Sequence, residues 1–173
     1  MTWTAPQVER SEPPETAAER EAVQGWLDFH RQTLLLKCQG LTGEQLVARA
    51  VAPSTLSLLG LVRHMAAVER WWFRRLFAGQ ADLDGLYNSD EYPDGDFDLT
   101  DAAEAESDFA AFARECELAD EAARGRSLGE TFVAPRGRVF DLRWVYLHMI
   151  EEYARHNGHA DIIREQIDGV TGD

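Results

Sequence analysis

Residues 148–165 read HMIEEYARHNGHADIIRE, and this stretch decides the fold. With Asp141 as origin and roughly 100° per residue, Val145, Met149, Ile163 and Ile167 fall within about 40° of one another, which marks an amphipathic α-helix with one core-facing stripe. Asp141 offers an N-cap and Gly169 a stop, so the helix is expected from Asp141 to about Asp168. His148, Glu152, His156 and His159 share the core-facing sector, whereas Asp161, Glu165 and Asp168 are expected to face solvent. A carboxylate and several imidazoles on a buried face cost free energy unless something compensates them, and a bound cation compensates both residue types at once. Glu152 and His156, four residues apart, stack one turn above another and reach a single ion.

Working outward, three more helical segments precede this one. From Thr16 the apolar residues Val23, Trp26, Leu27, Leu34 and Leu35, with His30 among them, recur at three- and four-residue steps until Gly40 breaks the pattern. A connection from Thr42 to Ala50 has room for one helical turn. A second long helix is expected from about Thr55 to Phe77, with Leu58, Leu61, Val62, Met65, Val68, Trp72 and Leu76 on one side and Arg63, Arg70 and Arg74 on the other. Residues 79–101, GQADLDGLYNSDEYPDGDFDLTD, are acidic and turn-rich and read as a long surface loop, of the kind that covers pockets. A third long helix follows from Thr100 or Asp101, with Thr100 as N-cap, to Gly125. Between it and the last helix, Thr131 to Val133 and the PRG turn suggest a short extended piece. Four long amphipathic segments without a strand set argue for an all-α four-helix bundle.

With 173 residues, 45% of them hydrophobic, the chain fits one domain, read as residues 16–173 behind an N-terminal arm, 1–15, that carries Pro6, Pro13 and Pro14. No apolar run approaches the roughly 20 residues of a membrane span, and the N-terminus resembles no export signal, so a soluble, cytoplasmic protein without membrane partners is expected. A formal charge of −14 disfavours nucleic acid. Cys38 and Cys116, far apart, fit no zinc ribbon, redox pair or disulfide framework and are expected to be reduced and partly buried. Lys37 is the only lysine, which leaves little scope for Schiff-base chemistry.

A third metal ligand must come from a neighbouring helix, and His64, at the flank of the second helix's apolar stripe, is the candidate beside Glu152 and His156. His30 and His148 each have the plain reading of a hydrogen-bonded core histidine. His159 is open to a role beside the metal, to ligation or to packing. Glu69 lies at the centre of its helix's apolar stripe and is open to two readings, a buried acid or, the favoured one, a buried ion pair with Arg143 or Arg155 as partner. Trp71, Trp72, Phe73 and Trp144 are expected in the core. The acidic loop around Asp94, Asp96 and Asp98 lacks the Gly and Glu of a calcium loop and reads as solvated.

The pattern LVRHMAAVERWW at 61–72 together with LHMIEEYARHNGHADIIRE at 147–165 resembles the DinB-like (DinB/YfiT) superfamily of four-helix metalloproteins, in its mini-circle protein branch, which is related to mycothiol-dependent maleylpyruvate isomerases. The resemblance runs from about residue 20 to 170. It implies a divalent ion on His64, Glu152 and His156, with zinc first and nickel, manganese or iron as alternatives. Glu152 stands where many members have histidine, a harder donor that widens the choice of metal. The resemblance also implies a transferase or isomerase acting with a low-molecular-weight thiol of the mycothiol or bacillithiol type; a homodimer is expected because apolar helix faces in such bundles often pair. In that reading His148 and His159 are the candidate bases or orienting groups. A metallohydrolase using the same open position for water, and a dimeric binding module that the metal merely rigidifies, are the competing expectations.

Overall fold

A computed structural model describes residues 2–172 of the protein, which is mostly helical. Its long helices are α1 (Glu19–Cys38), α3 (Leu58–Glu69), α5 (Ala105–Ala123) and α6 (Leu142–Asp168), with short helices α2 (Gly43–Leu46) and α4 (Gly95–Asp98) between them. Two strands, β1 (Thr131–Val133) and β2 (Val139–Asp141), pair antiparallel across the PRG turn and set Phe132 opposite Phe140. Arg136 and Gly137 hold the positive φ angles that the turn needs.

Local chemistry sets the helix ends. Asp141 caps α6 by accepting from the Trp144 amide, and Gly169, at φ 78°, closes it in the left-handed conformation. Helix α3 starts three residues later than the expected Thr55, because Ser54 accepts from the Leu56 amide and Ser57 is the cap, accepting from the Gly60 amide. It reaches Phe77 as expected, but residues Arg70–Phe77 are π-helical, a widened form that a wheel of constant pitch cannot show. Asp101 rather than Thr100 caps the start of the third long helix, accepting from Ala103, and a 3₁₀ turn leads into α5.

Helix α1 packs chiefly on α6 and α3 chiefly on α5, with α3–α6 contacts joining the two pairs. Leu27, Leu34, Leu58, Leu61, Met65, Phe112, Val145, Met149 and Tyr153 are almost wholly excluded from solvent. Hydrophobic burial of this kind, about 25 cal/mol per Å² of apolar surface, is the main driving force for the fold. The N-terminal stretch lies against the helices for part of its length: Ala5 is buried, its amide donates to Leu41, and Trp3 meets the Phe109 ring edge-on at 5.3 Å.

Several surface expectations fail because long side chains find buried partners. Arg63 is buried, bonding Asp108 on α5 and the carbonyls of Gly95 and Asp96, with its guanidinium over the Tyr87 ring. Arg70 and Arg74 converge on Glu115, which is 2% exposed. Asp161 keeps a side chain that is 45% exposed, as expected, while it pairs with the buried Lys37. Conversely Trp26, Trp71 and Trp144 are all more than a third exposed, while Phe73 is buried. Among the described residues no helix is long and apolar enough to cross a membrane.

Candidate functional site

Helices α3 and α6 bring His64, Glu152 and His156 together. Each offers one ligand atom, and these atoms lie within 4.8 Å of one another. Their side chains are 22%, 18% and 12% exposed, so the cluster is drawn into the protein while solvent still reaches it.

His64 is held from behind. Its Nδ1 lies 2.8 Å from Oδ2 of Asp96, a buried carboxylate, and its ring stacks on Phe97 at 4.8 Å. An imidazole that gives its Nδ1 proton to a carboxylate keeps Nε2 as its lone-pair nitrogen. Asp96 is therefore part of the site, which corrects the reading of its loop as merely solvated. Arg63 fastens this stretch by binding the carbonyls on either side of the Gly95–Asp96 link, and it anchors both to Asp108. The sequence carried no motif for Asp96; only the length of its loop pointed there.

His156 Nε2 lies 3.5 Å from Glu152 Oε2, and its ring meets that of His64 edge-on at 4.8 Å. Burial pushes its pKa down to about 4; His64, His159 and Arg155 act in the same direction and Asp96 against them. At neutral pH the ring is thus uncharged, the form in which imidazole binds a cation. His159 reaches the other nitrogen of this ring, with its Nδ1 3.4 Å from His156 Nδ1. It meets the back of His156 rather than the side that faces Glu152.

His148 sits one turn before Glu152, its Nε2 3.8 Å from Glu152 Oε1. Its ring stacks on Trp144 at 4.8 Å and takes the edge of Trp72 at 4.9 Å. The set His148, Glu151 and Glu152 meets the same distance limit as the first trio, but Glu151 is exposed and already bonded to Arg155. His30 lies elsewhere, between α1 and α6, where Asn157 donates to its carbonyl at 3.0 Å.

Glu69, by contrast, is fully satisfied. Arg31 binds both of its oxygens at 2.7 and 2.8 Å and Tyr153 donates at 2.8 Å, so the buried ion pair exists with a partner on α1. Arg143 and Arg155, the expected partners, bind Glu19 and Glu151 instead. Cys116 lies 3.9 Å from Glu69, and burial raises its thiol pKa well above the usual value. Both cysteines are free, and Cys38 is buried.

The profile of the mycothiol S-transferase family matches residues 22–169, from within α1 to the end of α6. The chain belongs to the mycothiol S-transferase family. That family lies in the DinB-like superfamily that the sequence resembles. A search of curated proteins finds no match. For a mycothiol S-transferase family member, the donor set of two imidazoles and a carboxylate fits a divalent ion: both histidines have Nδ1 engaged, and Glu152 has no arginine to neutralise it among the described residues.

Proposed function

We propose that this protein is a metal-dependent S-transferase that joins a low-molecular-weight thiol of the mycothiol type to an electrophilic carbon, with the ion held by His64, Glu152 and His156. The observation that carries the reading is the pairing of an uncompensated, half-buried Glu152 with two histidines whose Nδ1 atoms are already occupied. Zinc is the leading ion, and the carboxylate donor leaves room for nickel, manganese or iron. Such an ion, held there, would lower the pKa of a thiol beside it and so supply a thiolate nucleophile near neutral pH.

The chain's own residues divide the remaining work. Asp96 keeps the proton of His64 on Nδ1, and His159 accepts the Nδ1 proton of His156, so both rings present Nε2. His148, held between Trp144 and Trp72 beside Glu152, is the group we assign to take the thiol proton. His159 then acts through His156, as a positioning residue. The family's name favours group transfer over isomerisation and over hydrolysis. In this reading the four long helices form a bundle of the DinB type over residues 16–173, the protein works in the cytoplasm as a homodimer, and its acidic surface meets no nucleic acid.

The test is elemental analysis of protein purified without added metal, followed by assay of mycothiol consumption with iodoacetamide. About one equivalent of metal and metal-dependent consumption are expected, with both lost in His64→Ala and in His156→Ala. Full metal content in both variants would sink the site; turnover that survives chelation would sink the mechanism.

A further inference from the structure

One cavity adjoins the cluster without belonging to it. It has a volume of about 190 Å³ and is lined by Val51, Ser54 and Leu56 from the segment before α3 and by His159, Ile162 and Ile163 from α6. Its wall is almost free of polar groups. Ser54 already accepts from the Leu56 amide at 3.2 Å, and His159 turns its Nδ1 toward His156. It is open to solvent on its Ile162 side, and its volume leaves room for a single aromatic ring or a short branched alkyl group. The two partners of an S-transfer differ in character: a thiol is drawn to the ion, while the acceptor needs its reactive carbon there and the rest of its body somewhere else. His159, which lines the cavity, also meets His156 Nδ1 at 3.4 Å, so this one side chain joins the cavity to the cluster.

We infer that this cavity takes the apolar end of the electrophilic acceptor, making the protein selective for acceptors that carry a ring or branched alkyl group a few atoms from the reactive carbon. This rests on the S-transfer reading above. With N-benzyl iodoacetamide as probe, the thiol sulfur forms an S–C bond to the iodomethyl carbon, and the C–I bond breaks. Iodide leaves with the electron pair, and the thiol proton passes to His148. The electrophilic carbon is the same in N-methyl iodoacetamide, so any difference in rate reports the remote group alone.

The experiment uses the metal-loaded enzyme with mycothiol and these two iodoacetamides. We expect kcat/KM for the N-benzyl compound to exceed that for the N-methyl compound at least tenfold. Ile162 is 54% exposed, so Ile162→Asp places a charge in the wall without burying it in the fold. That variant should bring the ratio close to one while the N-methyl rate and the KM for mycothiol stay unchanged, and Ile162→Leu should keep the wild-type ratio. A wild-type ratio near one, or a ratio that survives Ile162→Asp, overturns the proposal. Saturation-transfer NMR with unreactive N-benzylacetamide separates this from failure of the S-transfer reading. Signal from the wild type that Ile162→Asp abolishes supports the cavity even if neither iodoacetamide is consumed, whereas equal signal from both, or none, overturns it.

Discussion

Helices α3 and α6 bring ionisable groups together twice, at Glu69 with Tyr153 and, one turn away, at His64 with Glu152 and His156. At the first place Arg31 crosses from α1 and meets both oxygens of Glu69, and nothing is left for a ligand to do. At the second, among the described residues, no arginine or lysine pairs with Glu152, whose partners are imidazoles at 3.5 and 3.8 Å. The residues involved are neighbours in sequence, Glu152 beside Tyr153, and the two clusters are chemically alike. What separates the two networks is whether the fold supplies the counter-charge.

That difference yields its largest consequence at Glu69. Removing one partner from a buried pair leaves the other uncompensated and costs about 3–5 kcal/mol, so Arg31→Met should lower the free energy of unfolding by that much in urea titration. Glu152→Gln, read the same way without metal, should change stability by less than about 1 kcal/mol. Equal losses from the two variants would erase the distinction drawn between the networks.

Adding a divalent cation should sharpen the comparison from the other side. A ligand at a thousandfold its Kd stabilises the native state by about 4 kcal/mol, so zinc should raise the melting temperature of the wild type but not of His64→Ala or Glu152→Gln. Calorimetric scans with and without zinc decide this. Asp96→Asn should fall between them: it keeps the shape but loses the carboxylate that sets the His64 tautomer, and such partners are worth about 10–100-fold in metal affinity. Competition with a chromogenic chelator measures that loss; affinity equal to wild type would show that Asp96 is not orienting His64.

The sequence disclosed these two clusters unequally. Glu152 and His156 were legible because both lie on one helix, whose period is known from its own apolar residues. His64 followed from resemblance, since a flank position does not state which neighbour it meets. Glu69 was recognisable as a buried acid, but its partner was not: periodicity says which face is buried, not which helix lies against it, and Arg31 sits 38 residues upstream. Asp96 was hidden for the same reason in stronger form, because its loop has no period at all and is held in place by Arg63, a side chain that the wheel turned outward. The π-helical stretch Arg70–Phe77 lay beyond reach because it changes the pitch on which every wheel depends.

Glu115 supplies the smallest test, at a third site that resembles the Glu69 network. Burial works to raise its pKa, but hydrogen bonds from Arg70 and Arg74 outweigh that, and its carboxyl is held below the ordinary range. A carboxylate whose folded pKa is depressed contributes stability that is present above the unfolded value, about 4.3, and lost as pH falls through the lower folded value. Glu115→Gln should therefore cost about 1.5 kcal/mol at pH 7, and the gap between variant and wild type should close as both are titrated below the ordinary carboxylate range. Both guanidinium groups are themselves tied elsewhere, Arg70 to the Asp84 carbonyl and Arg74 to Gln80, so they stay in place when Glu115 loses its charge. If the gap stays constant down to acid pH, Glu115 is held by packing rather than by charge, and this network belongs with neither of the other two.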